Sequence, residues 1–163
     1  MDKHFLLQQI DSAAVTEFRE LLANASGGMS FVISCRGGDV NCGFEIIEAI
    51  ESSPVTVSGI VRREAGSAAA IILQACHDRV MENGSTLHYH YASWRVSLLI
   101  YFDKQLMKRN RQSGIAMQER LIEPIVKRTG MTRQDVHKLL LEDRHIGAQE
   151  ALDRGLVDRI VPS

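Results

Sequence analysis

Twice in its first half the chain runs from a short apolar stretch, through a turn of small residues, into an apolar helical stretch. Met29 to Cys35 (MSFVISC) is β-branched enough to be a buried strand, and it feeds Arg36-Gly37-Gly38-Asp39. After that turn, Val40, Phe44, Ile47 and Ile50 recur at helical spacing. Val55 to Val61 (VTVSGIV) alternates as a second strand, and an apolar helix opens at Gly66-Ser67 and runs toward Ala75. Strands alternating with helices predict a parallel sheet covered by helices, an α/β fold. Ligands of such sheets sit at the carboxyl ends of the strands, where the chain enters its helices. Both small-residue turns fall at such ends.

The remaining elements fit the same plan. Lys3 to Ile10 offers a first strand, and Asp11 or Ser12 caps a helix carrying Val15, Phe18, Leu21 and Leu22 that stops at Ser26-Gly27-Gly28. Strands are expected near Arg79 to Met81 and over Thr86 to His90. From about 94 to 128 the apolar spacing predicts a long helix, loosened near Ser113-Gly114 and kinked at Pro124, that projects as an oligomerisation handle. Thr132 caps a further helix to Glu142, with Asp135 in the place the capping box gives to Glu or Gln. Asp143 to Gly147 reads as a loop, Ala148 to Arg154 as a short helix capped by Gly155, and Leu156 to Val161 as a last strand. With 163 residues, no internal repeat and no linker, residues 1–163 read as a single domain.

Composition removes several classes of function. The net charge of −1 provides no basic field for nucleic acid or anionic lipid, and the basic run Lys104 to Arg111 reads as a solvated helix face or subunit contact. No apolar run approaches the roughly 20 residues of a membrane span. The N-terminus lacks the apolar core and cleavage site of a signal peptide. Cys35, Cys42 and Cys76 have no metal-site spacing and read as buried thiols in a reducing, cytoplasmic compartment.

The chemistry concentrates between Glu64 and His90. A nucleophilic serine needs its Oγ at a sharp turn with bare backbone N–H groups beside it, and a strand-to-helix turn of Gly and Ala meets both needs. Ser67 in Gly66-Ser67-Ala68-Ala69-Ala70 is such a residue, and His90 on the strand that follows is the expected base. His88 and His90 share a strand face, so a metal pair completed by Glu82 or Asp143 is an alternative. A serine–lysine dyad would draw on Lys104 or Lys108.

Four stretches, in order, resemble the Clp protease proteolytic subunit (ClpP) family, within the clan of phage prohead proteases, signal peptide peptidases and crotonases. Arg36-Gly37-Gly38-Asp39-Val40 stands for the family's Pro-Gly-Gly turn, with arginine in place of proline. Ala65-Gly66-Ser67-Ala68-Ala69 stands for the nucleophile turn, Leu87-His88-Tyr89-His90 for the strand ending in the base, and residues 143–158 for the C-terminal pattern that opens on the triad aspartate. Thr129-Gly130 also fits. An alternative register would set Ala70 at the nucleophile position and make the enzyme silent.

The resemblance implies a ClpP/crotonase-like spiral of βαβ units with a long protruding helix. It implies a serine endopeptidase with Ser67 as nucleophile, His90 as general base and Asp143 orienting the imidazole. The amides of Gly38 and Ala68 then form the oxyanion hole. It implies no metal and no cofactor, a peptide or unfolded protein as substrate, bound as a strand added to a sheet edge, and a homo-oligomer. The Gly-Gly turn is reached by residue 37, with little room for the family's N-terminal axial segment, so partnership with an ATP-dependent unfoldase stays open. The alternatives are a silent ClpP-like assembly subunit and a Ser/Lys protease like the signal peptide peptidases.

Overall fold

The computed structural model describes residues 5–92 and 103–163. Strands β1 (Phe5–Leu7), β2 (Met29–Cys35), β3 (Val57–Gly66), β4 (Asp78–Glu82) and β7 (Arg159–Val161) lie side by side in that order, each paired parallel to the next. Helices α1 (Ser12–Ala23), α2 (Val40–Glu51) and α3 (Ala68–Ala75) connect successive strands. Each of the first two begins at the acidic cap its turn supplies. The Asp11 carboxylate accepts the Ala14 amide at 2.9 Å, and Asp39 accepts that of Cys42 at 2.9 Å. Phe18 of α1 sits edge-on to Phe31 of β2 at 5.1 Å and to Phe5 of β1 at 5.8 Å, which ties helix to sheet.

The third strand does more than its sequence announces. It was expected to end at Val61, but it continues to Gly66 through a bulge. Ile33 pairs with Val61 and Cys35 with Ala65, so two steps along β2 answer four along β3. Arg63 absorbs the extra length at φ 68°, and its amide donates to Ser85 Oγ at 2.9 Å. Before the bulge β3 pairs with β4; beyond it, Glu64–Gly66 pairs with β5 (Thr86–His88). β5 in turn pairs antiparallel with β6 (His145–Gly147), in the segment expected to be a loop. One strand thereby serves both the main sheet and a small second layer that carries the histidines.

Helix α4 (Lys104–Thr129) starts at Asp103, whose carboxylate accepts the amides of Gln105 and Leu106, and it ends on Gly130 at φ 73°. It runs unbroken past Ser113-Gly114 and through Pro124. The expected start of that helix near Trp94 lies outside the described residues. Leu121, Ile122 and Ile125 bury one side of α4, whereas Leu106 and Ile115 stand exposed. α5 (Arg133–Glu142) begins at the Thr132 cap, whose Oγ1 accepts the Asp135 amide at 3.1 Å, and α6 (Ala148–Asp153) leads to β7. The thiols of Cys35 and Cys76 are buried as expected, but Cys42 of α2 is only partly buried at the edge of the core.

A buried polar network fixes α3 against the C-terminal segment. Arg79, 4% exposed, donates to both carboxylate oxygens of Asp158, to Gln74 Oε1 at 2.7 Å and to the Gly155 carbonyl at 2.9 Å. Gln74 Nε2 donates to Tyr89 Oη and to the Leu156 carbonyl. Each buried polar atom finds a partner, the condition under which such a network stiffens a core rather than weakening it.

Candidate active site

Ser67 stands where β3 becomes α3, at φ 52° and ψ −127°. This backbone is strained for any residue with a side chain, and such strain persists only where neighbours hold it. The neighbours here are the two small-residue turns, which touch. A Cβ on Gly37 would lie 2.8 Å from Ser67 Cβ, and one on Gly66 would lie 2.9 Å from the Arg36 carbonyl oxygen. Only glycine at both positions lets the turns close on each other. The Ser67 amide donates to the His88 carbonyl at 2.8 Å, and the Ser67 carbonyl opens α3 by accepting from Ala70 at 3.0 Å. Ala70 itself is fully buried within α3, three residues past the turn.

Ala68 is the first residue of α3, where backbone N–H groups point out of the helix without an intrahelical acceptor. Gly38 lies against β1's extension: it bridges Ile10, a Cβ on it would come within 2.6 Å of the Ile10 carbonyl oxygen, and the next amide, of Asp39, donates to that oxygen at 2.9 Å.

The imidazole that meets the Asp143 carboxylate is that of His88, two residues before the expected His90. His88 Nε2 lies 2.8 Å from Asp143 Oδ1. His90 turns away, its Nδ1 2.7 Å from the Tyr91 carbonyl, so that nitrogen carries the proton and donates. The register explains the exchange. Gly66 pairs with His88 across β3 and β5, and His88 pairs with His145 across β5 and β6, while Asp143 caps the end of α5 at φ 42°, two residues before β6 begins. The small second layer thus ties the His88 backbone to the serine turn through the Ser67 amide and sets Asp143 against the His88 ring. Two imidazoles flank it, His90 at 5.2 Å and His145 at 4.9 Å between ring centroids. Counting residues along the strand could not choose between His88 and His90; the hidden strand at His145–Gly147 was the missing signal.

The other candidates separate. Glu82 is engaged by Arg62 at 2.8 Å, and among the described residues no three His, Cys, Asp or Glu side chains are placed to hold a metal ion. Lys104 and Lys108 sit on the exposed first turns of α4. Among the described residues no helix is long and apolar enough to cross a membrane.

A parallel sheet whose third strand ends in a strained serine, with an antiparallel layer beside it, is the ClpP-like α/β fold. The fold superposes on a ClpP1 mutant from Listeria monocytogenes with a TM-score of 0.84, covering 99% of this chain and 92% of that one at 20% identity. The family model described as Clp protease matches residues 5–163, and the chain belongs to that protease family. Among named relatives, the "ATP-dependent Clp protease proteolytic subunit 1" of Protochlamydia amoebophila (strain UWE25) is 29% identical over 174 residues, spanning 98% of this chain and 80% of that protein.

Proposed function

We propose that this chain is a serine endopeptidase that cleaves peptides or unfolded polypeptide through Ser67, His88 and Asp143, within a homo-oligomer in the cytoplasm. The observation that carries the reading is the His88–Asp143 contact on a strand whose carbonyl holds the amide of the strained Ser67. Asp143 accepts the Nε2 proton of His88, which sets the tautomer and leaves Nδ1 as the basic nitrogen. His88 takes the hydroxyl proton as Ser67 Oγ attacks the scissile carbonyl, and Asp143 stabilises the resulting imidazolium. The proton then passes to the leaving amine, and water resolves the acyl-enzyme by the same steps. The amides of Gly38 and Ala68 are the donors for the oxyanion. His90 replaces His88 in the rival assignment, and its ring stands close enough for the two to be compared directly.

Hydrolysis of a fluorogenic peptide tests the assignment. His88→Ala loses at least about a thousandfold in kcat/KM, the scale of removing a triad base, while His90→Ala keeps most of it. The reverse pattern moves the base to His90. Undetectable hydrolysis by the unmodified protein supports instead a silent assembly subunit.

A further inference from the structure

Beside the nucleophile turn lies a polar cleft of about 490 Å³, lined by Gln8, Ser34, Arg36, Gly37, Arg63 and Glu64. It opens at the carboxyl ends of β2 and β3, and Gly37 belongs both to its wall and to the contact with Ser67, so the cleft and the serine share one backbone partition. Its charges are two arginines against one carboxylate. Arg36 and Glu64 pair at 2.5 Å, while no ion pair engages the Arg63 side chain among the described residues. Arg63 is the residue that absorbs the bulge of β3 at φ 68°. Glycine would take that backbone at no steric cost, whereas an arginine there is held in a strained conformation. The fold keeps a guanidinium at this place against the preference of the backbone.

We infer that this cleft is a substrate subsite selecting a carboxylate, with Arg63 as the specificity-determining residue and Arg36, held by Glu64, as its flank. A planar guanidinium with donors to spare is suited to a carboxylate, and a site whose wall residue Gly37 meets Ser67 would read a group close to the scissile bond. The ligand chemistry is shared by an acidic side chain within the peptide and by a peptide's C-terminal carboxylate. The inference rests on the peptidase reading of Ser67.

The test compares three kinds of fluorogenic peptide: a neutral one with a blocked C-terminus, a set in which one Asp is placed in turn at each position flanking the cleaved bond, and the neutral peptide with a free C-terminus. An Asp-containing peptide or the free carboxylate is cleaved with a kcat/KM roughly three- to tenfold above the neutral peptide at low salt, and the preference shrinks as salt screens the pair. Which of the two gains identifies the source of the carboxylate. Arg63→Asn, chosen because asparagine tolerates the left-handed backbone, lowers that ratio toward one, and Arg63→Lys restores part of it. Equal cleavage of all three kinds by the unmodified protein, or a ratio unchanged in Arg63→Asn, overturns the subsite while leaving the peptidase reading intact. Loss of cleavage of every peptide together with absent labelling of Ser67 by a fluorophosphonate overturns both.

Discussion

Arg79 and Asp158 show how much single residues decide far from the serine. Arg79 is buried, Asp158 about a third exposed, and together with Gln74 and Tyr89 they pin the buried helix α3 behind the nucleophile turn. Burial alone would push the Asp158 carboxyl up, but hydrogen bonds from the Arg79 side chain and amide outweigh it and hold the carboxyl below its ordinary 3.8. A carboxyl lowered in the folded state contributes stability that is fully present above the unfolded value and lost as pH falls through the folded one. Acid unfolding followed by circular dichroism therefore shows a stability decline below about pH 4 that is smaller in Asp158→Asn. At neutral pH that variant leaves a buried guanidinium short of its charge partner and loses about 2–4 kcal/mol in urea unfolding. A variant as stable as the parent at pH 7 would show that Gln74 and the Gly155 carbonyl satisfy Arg79 on their own. Burial also raises the Tyr89 hydroxyl well above its ordinary range, so Tyr89 stays a neutral hydrogen-bonding member of this network at any physiological pH.

At the scale of elements, the main sheet was legible in advance because its strands and helices are written in apolar spacing: β2 at Met29–Cys35, α2 from Val40 and α5 behind Thr132 lie where the sequence predicts them. What stayed hidden was set by long-range pairing. Arg62-Arg63-Glu64 carries no strand periodicity because it lies in a bulge, and His145–Gly147 is too short and polar to read as a strand until it pairs with β5. That hidden pairing also decides which histidine reaches Asp143. Helix α4 presents a related case. Its inner side is bound to the body by Leu121, Ile122 and Ile125, and by pairs such as Arg120–Glu48 and Lys127–Glu51 to α2, but Leu106 and Ile115 point to solvent. Their exposure is the observation behind the oligomerisation role proposed for this helix. Light scattering of the purified protein reads a mass several times that of one chain, and Leu106→Lys with Ile115→Lys lowers it; a single-chain mass throughout would separate α4 from assembly.

Across the whole molecule three distant segments are linked in series: the strained serine at the end of a sheet strand, whose amide donates to the His88 carbonyl, the His88 ring from the second layer, and Asp143, which closes the penultimate helix and meets that ring. Membership of the Clp protease family and the shared fold make proteolysis the natural use of that arrangement, and the site is where the account can fail. The most direct measurement is covalent labelling by a fluorophosphonate, with the modified peptide identified by mass spectrometry. The mark is expected on Ser67, absent in Ser67→Ala and strongly slowed in His88→Ala. Labelling that persists in Ser67→Ala, or lands on another residue, would contradict the central claim.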